Sequence, residues 1–418
     1  MSNRMERTFL IYALLTVGSL NLARPAAADV VTDWSLRTVG FVTAANRPGP
    51  SGIIDVAMVH IAMHDAVQAY QHRFETYNEP IAGASGSPTV AVAAAARSVL
   101  VNRFPAQTAQ IEAEYQRYLT LRQLLASDPG AAIGDEAALR IIHRRREDGA
   151  FPQNPEIFTG GTAPGQWRPT PPAFASMATP WLGDVTPFAL KDVAGLLNEA
   201  GPPHLSSGVY ARDYDEVKAL GGRLGSARTP EQTDLAFFYA GSSLPQMNAI
   251  ARSVAIARLS DIGETARLLA LANIASADAF ILSWHKKRTY AFWRPSTAIA
   301  DGDFDGNPNT AGDLAWLPLI NDPPYPDYTS GANSITSAFM RTLALFFGDD
   351  NCTFTVETAV PQAVQKVRTY SRFSAVADDV VEARILLGIH FRFADVVGRR
   401  QAKQIADLAF AHLLRPLE

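Results

Sequence analysis

A single cysteine, Cys352, stands among 418 residues, so the chain can form neither an intrachain disulfide nor a cysteine-built metal cluster. Positive charge is not in surplus either. Lys and Arg number 37 against 41 Asp and Glu, a net −4, which excludes a surface built to coat nucleic acid. Charged residues make up only 19% against 47% hydrophobic, a balance that excludes disorder and predicts a large buried core. No tandem repeat is visible, and no segment shows convincing strand alternation. Beyond the N-terminus no apolar run has the unbroken length of a membrane helix, so no stable membrane span is expected. At the N-terminus, Arg4 and Arg7 precede an apolar run over 9–22, and Ala26-Ala27-Ala28 supplies small residues for cleavage. Residues 1–28 therefore read as a signal peptide, and the mature protein as exported, periplasmic or secreted.

What remains is helical periodicity, and the expected fold class is all-α. Helices are predicted over 53–70, 89–100, 109–125, 135–148, 210–221, 229–239, 248–259, 264–287, 335–347 and 398–414. Residues 29–200 form an N-terminal helical region that ends in a Pro/Gly-rich loop at 151–188. Residues 201–418 form a C-terminal helical, catalytic region. The loop carries Trp167 and Trp181, which argues for order, either as a wall over a site or as a packed crossing. His60 and His64 lie four apart on one helical face. With no further ligand cluster beside them, they read as hydrogen-bonded core imidazoles rather than metal ligands. The acidic run 301–309 lacks the spacing of a calcium loop and reads as a turn.

Three stretches carry chemistry. In W-H-K-K-R-T-Y-A-F-W-R-P, Lys287 and Arg294 are seven apart, about −20° on a helix, and Pro295 is expected to end that helix at Arg294. Cations among Trp and Phe are partly buried and need an anion. In P-Y-P-D-Y-T-S-G-A-N-S, Ser330 and Gly331 precede a helical run, where a hydroxyl and a backbone N–H make an anion site. In A-R-I-L-L-G-I-H-F-R-F-A-D, Arg384 and His390 share what reads as one apolar helical segment, about 120° apart.

Lys-x6-Arg-Pro, then Ser-Gly, then Arg-x5-His resembles the signature of the vanadium-dependent haloperoxidases and type-2 phosphatidic acid phosphatases, nearest the bacterial haloperoxidase-like branch. The resemblance implies helical bundles of the haloperoxidase/acid phosphatase type. It implies a cage for vanadate, or phosphate in the same place, formed by Lys287, Arg294, Ser330, Gly331, Arg384 and His390. His390 would be the vanadium ligand, with His390, Lys287 and Asp395 as the candidate catalytic residues. The implied reaction is peroxide-driven halide oxidation, with hydrogen peroxide and halide as small-molecule partners. Phosphoester hydrolysis through a phosphohistidine is the alternative, and an oxyanion-binding pseudoenzyme a third reading. An oligomer is left open.

Two positions depart from the signature. Pro-Ser-Gly-His reads Thr329-Ser330-Gly331-Ala332 here, followed by Asn333, so the acid–base imidazole is absent. His-x3-Asp would place an acid at Ala394. Asp395 comes one residue later, about 140° from His390 on a regular helix.

Overall fold

A computed structural model describes residues 28–47, 50–189 and 200–417. The predicted signal peptide thus falls, but for its last residue, outside the described residues. The chain starts with α1 (Val30–Ala44), capped by Asp29, whose carboxylate accepts the Thr32 N–H at 2.8 Å while Thr32 Oγ accepts the Asp29 N–H at 3.0 Å. Such a reciprocal cap satisfies two orphan donors of the first turn. α2 (Gly52–Gln71), α3 (Pro88–Arg103), α4 (Thr108–Leu121) and α5 (Gly130–Arg144) follow and pack into one group. α2 is apolar on nearly every side and correspondingly buried from Gly52 to Ala69.

α6 (Gly208–Gly221), α7 (Pro230–Phe238) and α8 (Ser243–Arg258) lead into α9 (Ile262–Tyr290). α7 opens as its sequence predicts, with Thr229 as cap, Pro230 at the first position and Gln232 closing a capping box. α9 is the axis of the molecule. It packs on α2 on one side, and on α11 (Gly331–Phe347) and α13 (Arg392–His412) on the other. Its length and mean hydropathy of 1.4 would suit a membrane crossing, an exception to the expectation from sequence, yet the whole apolar window is buried in protein. A short α10 (Pro295–Ala300) follows α9, and α12 (Phe373–Leu386) packs on α11.

Among the described residues the helical expectation holds with one exception. β1 (Asn351–Glu357) and β2 (Val367–Arg372) form an antiparallel hairpin. The alternation is present in N-C-T-F-T-V-E, where Cys352, Phe354 and Val356 are buried between exposed neighbours. It is too short to stand out beside the helical runs.

Helix boundaries moved most where turns intervene. α5 starts five residues earlier than predicted and ends at Arg144, with Arg145 as its cap. The segment 383–395 is not one helix. α12 ends at Leu386, Gly388 takes φ +78, and α13 starts at Arg392. Only glycine fits at 388: its φ is left-handed, and a Cβ there would sit 2.4 Å from the Gly221 carbonyl oxygen.

Candidate oxyanion-binding site

Four segments meet at the C-terminal end of α9. Lys287 lies in its last turn. Ala291 then adopts a left-handed conformation, and Arg294 is extended at the cap of α10. Lys287 and Arg294 are therefore not on one helix face. Pro295 starts a new helix, and the turn at Ala291 brings the two cations together. The Pro-rich loop ends at Ser330, whose Oγ caps α11 by accepting the Asn333 N–H. Gly331 follows at the first helical position, where a Cβ would come within 2.7 Å of Phe280 and 2.8 Å of Trp284. Arg384 occupies the last turn of α12, His390 the α12–α13 connection, and Asp395 the first turn of α13.

The structure brings all seven sequence-predicted residues into this one region, and all seven are buried. Lys287 Nζ donates to the carbonyls of Pro326 at 2.6 Å and Asp327 at 2.8 Å. Arg294 donates from Nε to the Tyr325 carbonyl at 2.8 Å and from Nη1 to the Ile389 carbonyl at 2.6 Å. The Tyr325 ring lies over both cations, 5.1 Å from Lys287 Nζ and 4.8 Å from the Arg294 guanidinium.

His390 sits between an acid and a cation. Its Nδ1 is 2.6 Å from Asp327 Oδ1, a close contact rather than an aligned hydrogen bond, and its Nε2 is 3.3 Å from Arg294 Nη1. A guanidinium cannot accept, so Nε2 must be the lone-pair nitrogen and Nδ1 the protonated one. Burial and then the charges of Arg294, Lys287 and Arg384 hold the imidazole well below its usual pKa, so it is neutral. A neutral ring with its lone pair at Nε2 is the form that can bind a metal or attack phosphorus.

Asp395 corrects the expectation from sequence. The broken helix voids the 140° estimate, and the carboxylate against His390 is Asp327. Asp395 Oδ1 instead accepts the Asn333 side-chain N–H at 2.8 Å, and Ser330 hydrogen-bonds the same carboxylate. Ala394 supplies its carbonyl to the Ser330 N–H at 3.1 Å. Asp327 went unassigned in the sequence, where its one signal is an acid set between Pro326 and Tyr328 in a Pro-rich loop that also carries Asp322.

The remaining charges show the same strain. Burial pushes Lys287 well below its ordinary value, helped by Arg294, and lifts Asp327 well above its own against the pull of Arg294 and Lys287. Burial also raises Asp395 to about 7, opposed by Ser330, Arg384 and Asn333. Three cations crowd together, and two of their buried donors, Arg294 Nη2 and Arg384 Nε, meet no protein acceptor. An unmet donor in a dry interior is costly, and an oxyanion would satisfy both at once. With the Ser330 hydroxyl and the helix start at Gly331, the donor set fits a tetrahedral oxyanion such as vanadate or phosphate.

The loop 151–188 is non-helical apart from one 3-10 turn at Pro180–Asp184, and it is tied to this region. The Trp167 N–H donates to the Ala291 carbonyl at 2.6 Å, the Ala178 N–H to the Pro324 carbonyl at 2.8 Å, and the Trp284 ring N–H to the Ala178 carbonyl at 3.2 Å. It is a wall beside the site. His60 is a core imidazole, bonded to the Val56 carbonyl at 2.8 Å and Ser35 Oγ at 2.9 Å; His64 contacts the Glu75 carbonyl at 3.0 Å.

Residues 267–418 match the family model of the VCPO second helical-bundle domain. A vanadium chloroperoxidase from Curvularia inaequalis is 31% identical over 182 residues, covering 35% of this chain and 29% of that protein. A bacterial vanadium-dependent iodoperoxidase superposes with a TM-score of 0.79 at 23% identity, covering 94% of this chain and 100% of that one. An apo-type bacterial vanadium-dependent chloroperoxidase gives a TM-score of 0.69 at 17% identity, over 87% and 93% of the respective chains.

Proposed function

We propose that this chain, which has the vanadium haloperoxidase fold and carries the VCPO second helical-bundle domain over residues 267–418, is a vanadate-dependent enzyme that oxidises halide with hydrogen peroxide. The observation that carries the reading is the pair of buried, unmet donors on Arg294 and Arg384, beside a neutral His390 whose Nε2 keeps a lone pair. Lys287, Arg294, Arg384, Ser330 and the Gly331 N–H would hold the oxygens of vanadate, and His390 Nε2 would ligate the vanadium. Bound vanadate supplies the Lewis acidity that activates peroxide toward halide.

The chain's own residues do the rest. Asp327 holds the His390 ring with its proton on Nδ1. Lys287 is pinned by two carbonyls, and its third N–H, present once the incoming anion has protonated the amine, would point to the reacting oxygen. Tyr325 and Trp284, with ring centroids 4.8 Å apart, shield the cations from bulk water, which strengthens every charge interaction inside. Phosphoester hydrolysis would use the same cage. We rank it second because the similar proteins are vanadium-dependent iodo- and chloroperoxidases. Vanadate separates the two readings: it should raise peroxide-dependent halide oxidation, whereas in a phosphatase it would inhibit hydrolysis of a phosphomonoester. Vanadate inhibition, with no halide oxidation, would overturn the first reading.

We also infer export from residues 1–28. The first residue after the predicted cleavage site, Asp29, is the cap of α1. N-terminal sequencing of protein recovered outside the cytoplasm should start near Asp29. A start at Met1 in an active cytoplasmic protein would contradict export.

A further inference from the structure

The absent imidazole at Ala332 raises the question of where this cage keeps a mobile proton. Ala332 is half-exposed, while the residues around it at Ser330, Gly331 and Asn333 are buried. Behind Ser330 lies a side-chain cluster, Ser330, Asn333 and Asp395, of which the family signature specifies only the serine at its own position. Asn333 Nδ2 bridges Ser330 Oγ at 3.3 Å and Asp395 Oδ1 at 2.8 Å. Asp395 Oδ2 and Asn333 Oδ1 are buried with no partner. The cluster joins α11 to α13 and includes Ser330, the one residue it shares with the proposed cage.

We propose that Asp395, acting through the Ser330 hydroxyl, is the proton donor and acceptor of this cage and takes over the work of the missing imidazole. The step balances simply. Ser330 Oγ–H passes its proton to an oxygen held in the cage while the Asp395 carboxyl O–H passes its own to Ser330 Oγ. Asp395 is left ionised, and the cage oxygen gains one proton. The reverse takes a proton from an incoming hydroxyl or hydroperoxide. The inference deepens the peroxidase reading and rests on it for the reaction served, but not for the proton itself.

The electrostatics suit the task. An ionised carboxylate with one unmet oxygen in a dry interior is unfavourable, and burial holds Asp395 near a pKa of about 7. The groups that act on it are Ser330 and Asn333 from α11, Arg384 from α12 and Arg392 from its own helix, all lowering its pKa. Lys287 from α9 and Asp327 from the Pro-rich loop are coupled to it as well. A carboxyl that is half-ionised at neutral pH can both give and take a proton there.

Tungstate provides the test, being a tetrahedral dianion that does not itself titrate near neutrality. Calorimetry in buffers of different ionisation enthalpy counts the protons taken up when it binds. At about pH 8 Asp395 starts ionised and is driven to protonate by the incoming charge, so wild type should take up about one proton more than Asp395→Asn. Asp395 raises the Lys287 pKa, so Lys287 uptake differs between the two proteins and is removed by repeating the comparison in a Lys287→Met background. The pH–rate limb near 7 in wild type should also vanish in Asp395→Asn. Asn333→Ala checks the sign without touching the carboxyl. Losing a bond that lowers the Asp395 pKa should move both the limb and the midpoint of proton uptake to higher pH.

Equal uptake in wild type and Asp395→Asn overturns the proposal. If Asp395→Asn does not fold, an unmoved midpoint in Asn333→Ala overturns it instead. Asp395-linked uptake in a protein without halide oxidation would leave the proton assignment standing and remove the peroxidase reading. Halide oxidation with an unaltered pH profile in Asp395→Asn would do the opposite.

Discussion

Two buried charge clusters sit in this molecule, and they are built on opposite principles. In the N-terminal group, Asp55 of α2 is fully buried between Arg103 at 2.6 Å and Arg47 at 3.0 Å, and Arg47 also donates to the Arg103 carbonyl at 2.8 Å. One acid meets two bases, each arginine keeps some contact with water, and no side-chain polar atom of the three is left unmet. Around Lys287 the cations are more deeply buried, yet Arg294 Nη2, Arg384 Nε and Asp395 Oδ2 have no partner. Isolated unmet atoms occur elsewhere, as at Trp34 Nε1. Here unmet donors on two neighbouring cations fall in one site. The first cluster is finished by the protein; the second, on the proposed reading, is finished by a bound oxyanion.

The largest expected effect contrasts the two directly. Asp55→Ala strands two arginines around a buried hole and should cost roughly 3 kcal/mol of unfolding free energy by denaturant titration. Arg384→Ala, in protein free of oxyanions, should cost under about 1 kcal/mol, because it relieves repulsion with Lys287 and Arg294. Phosphate at about one hundred times its dissociation constant should stabilise wild type by about 2.7 kcal/mol and leave Arg384→Ala unmoved. An equally large loss from Arg384→Ala without ligand would make the second cluster structural too.

Asp327→Asn sharpens the comparison from inside the cage. It removes the acid beside His390 and one anion that competes with the ligand. Turnover should fall by about 10²-fold as the imidazole loses its fixed proton, while oxyanion affinity rises or holds. A parallel loss of both would mean that Asp327 only supports the loop. The smallest effect is expected at Ala332. If Asp395 already moves the proton, Ala332→His should raise wild-type turnover by less than about tenfold, but that of Asp395→Asn by about 10²-fold, giving it a pH limb in the histidine range. A 10²-fold gain in wild type would return the missing proton donor to position 332.

The cage was legible in the sequence because its members are declared by type. Lys287, Arg294 and Arg384 are cations in apolar, aromatic surroundings, and burial of such groups requires an anion wherever the chain takes them. Their approach to one another did not depend on the helical angles computed for them: Lys287 and Arg294 meet across the turn at Ala291, and Arg384 and His390 across the turn at Gly388. That second turn was hidden because Leu386, Leu387, Ile389 and Phe391 continue an apolar run through it. The local pattern reports burial, which is correct, and says nothing of the break. Asp327 was hidden for another reason. Its partner is 63 residues away, and no periodicity encodes a contact between a proline-rich loop and an interhelical turn.

The most direct measurement is equilibrium dialysis of the mature protein against orthovanadate, with bound vanadium counted per chain in wild type and in Arg384→Ala, followed by halide oxidation with peroxide. The account predicts close to one vanadium per wild-type chain, activity that rises with occupancy, and neither in the variant. Wild-type protein that binds no vanadate, or that binds it equally well without Arg384, would contradict the cage itself.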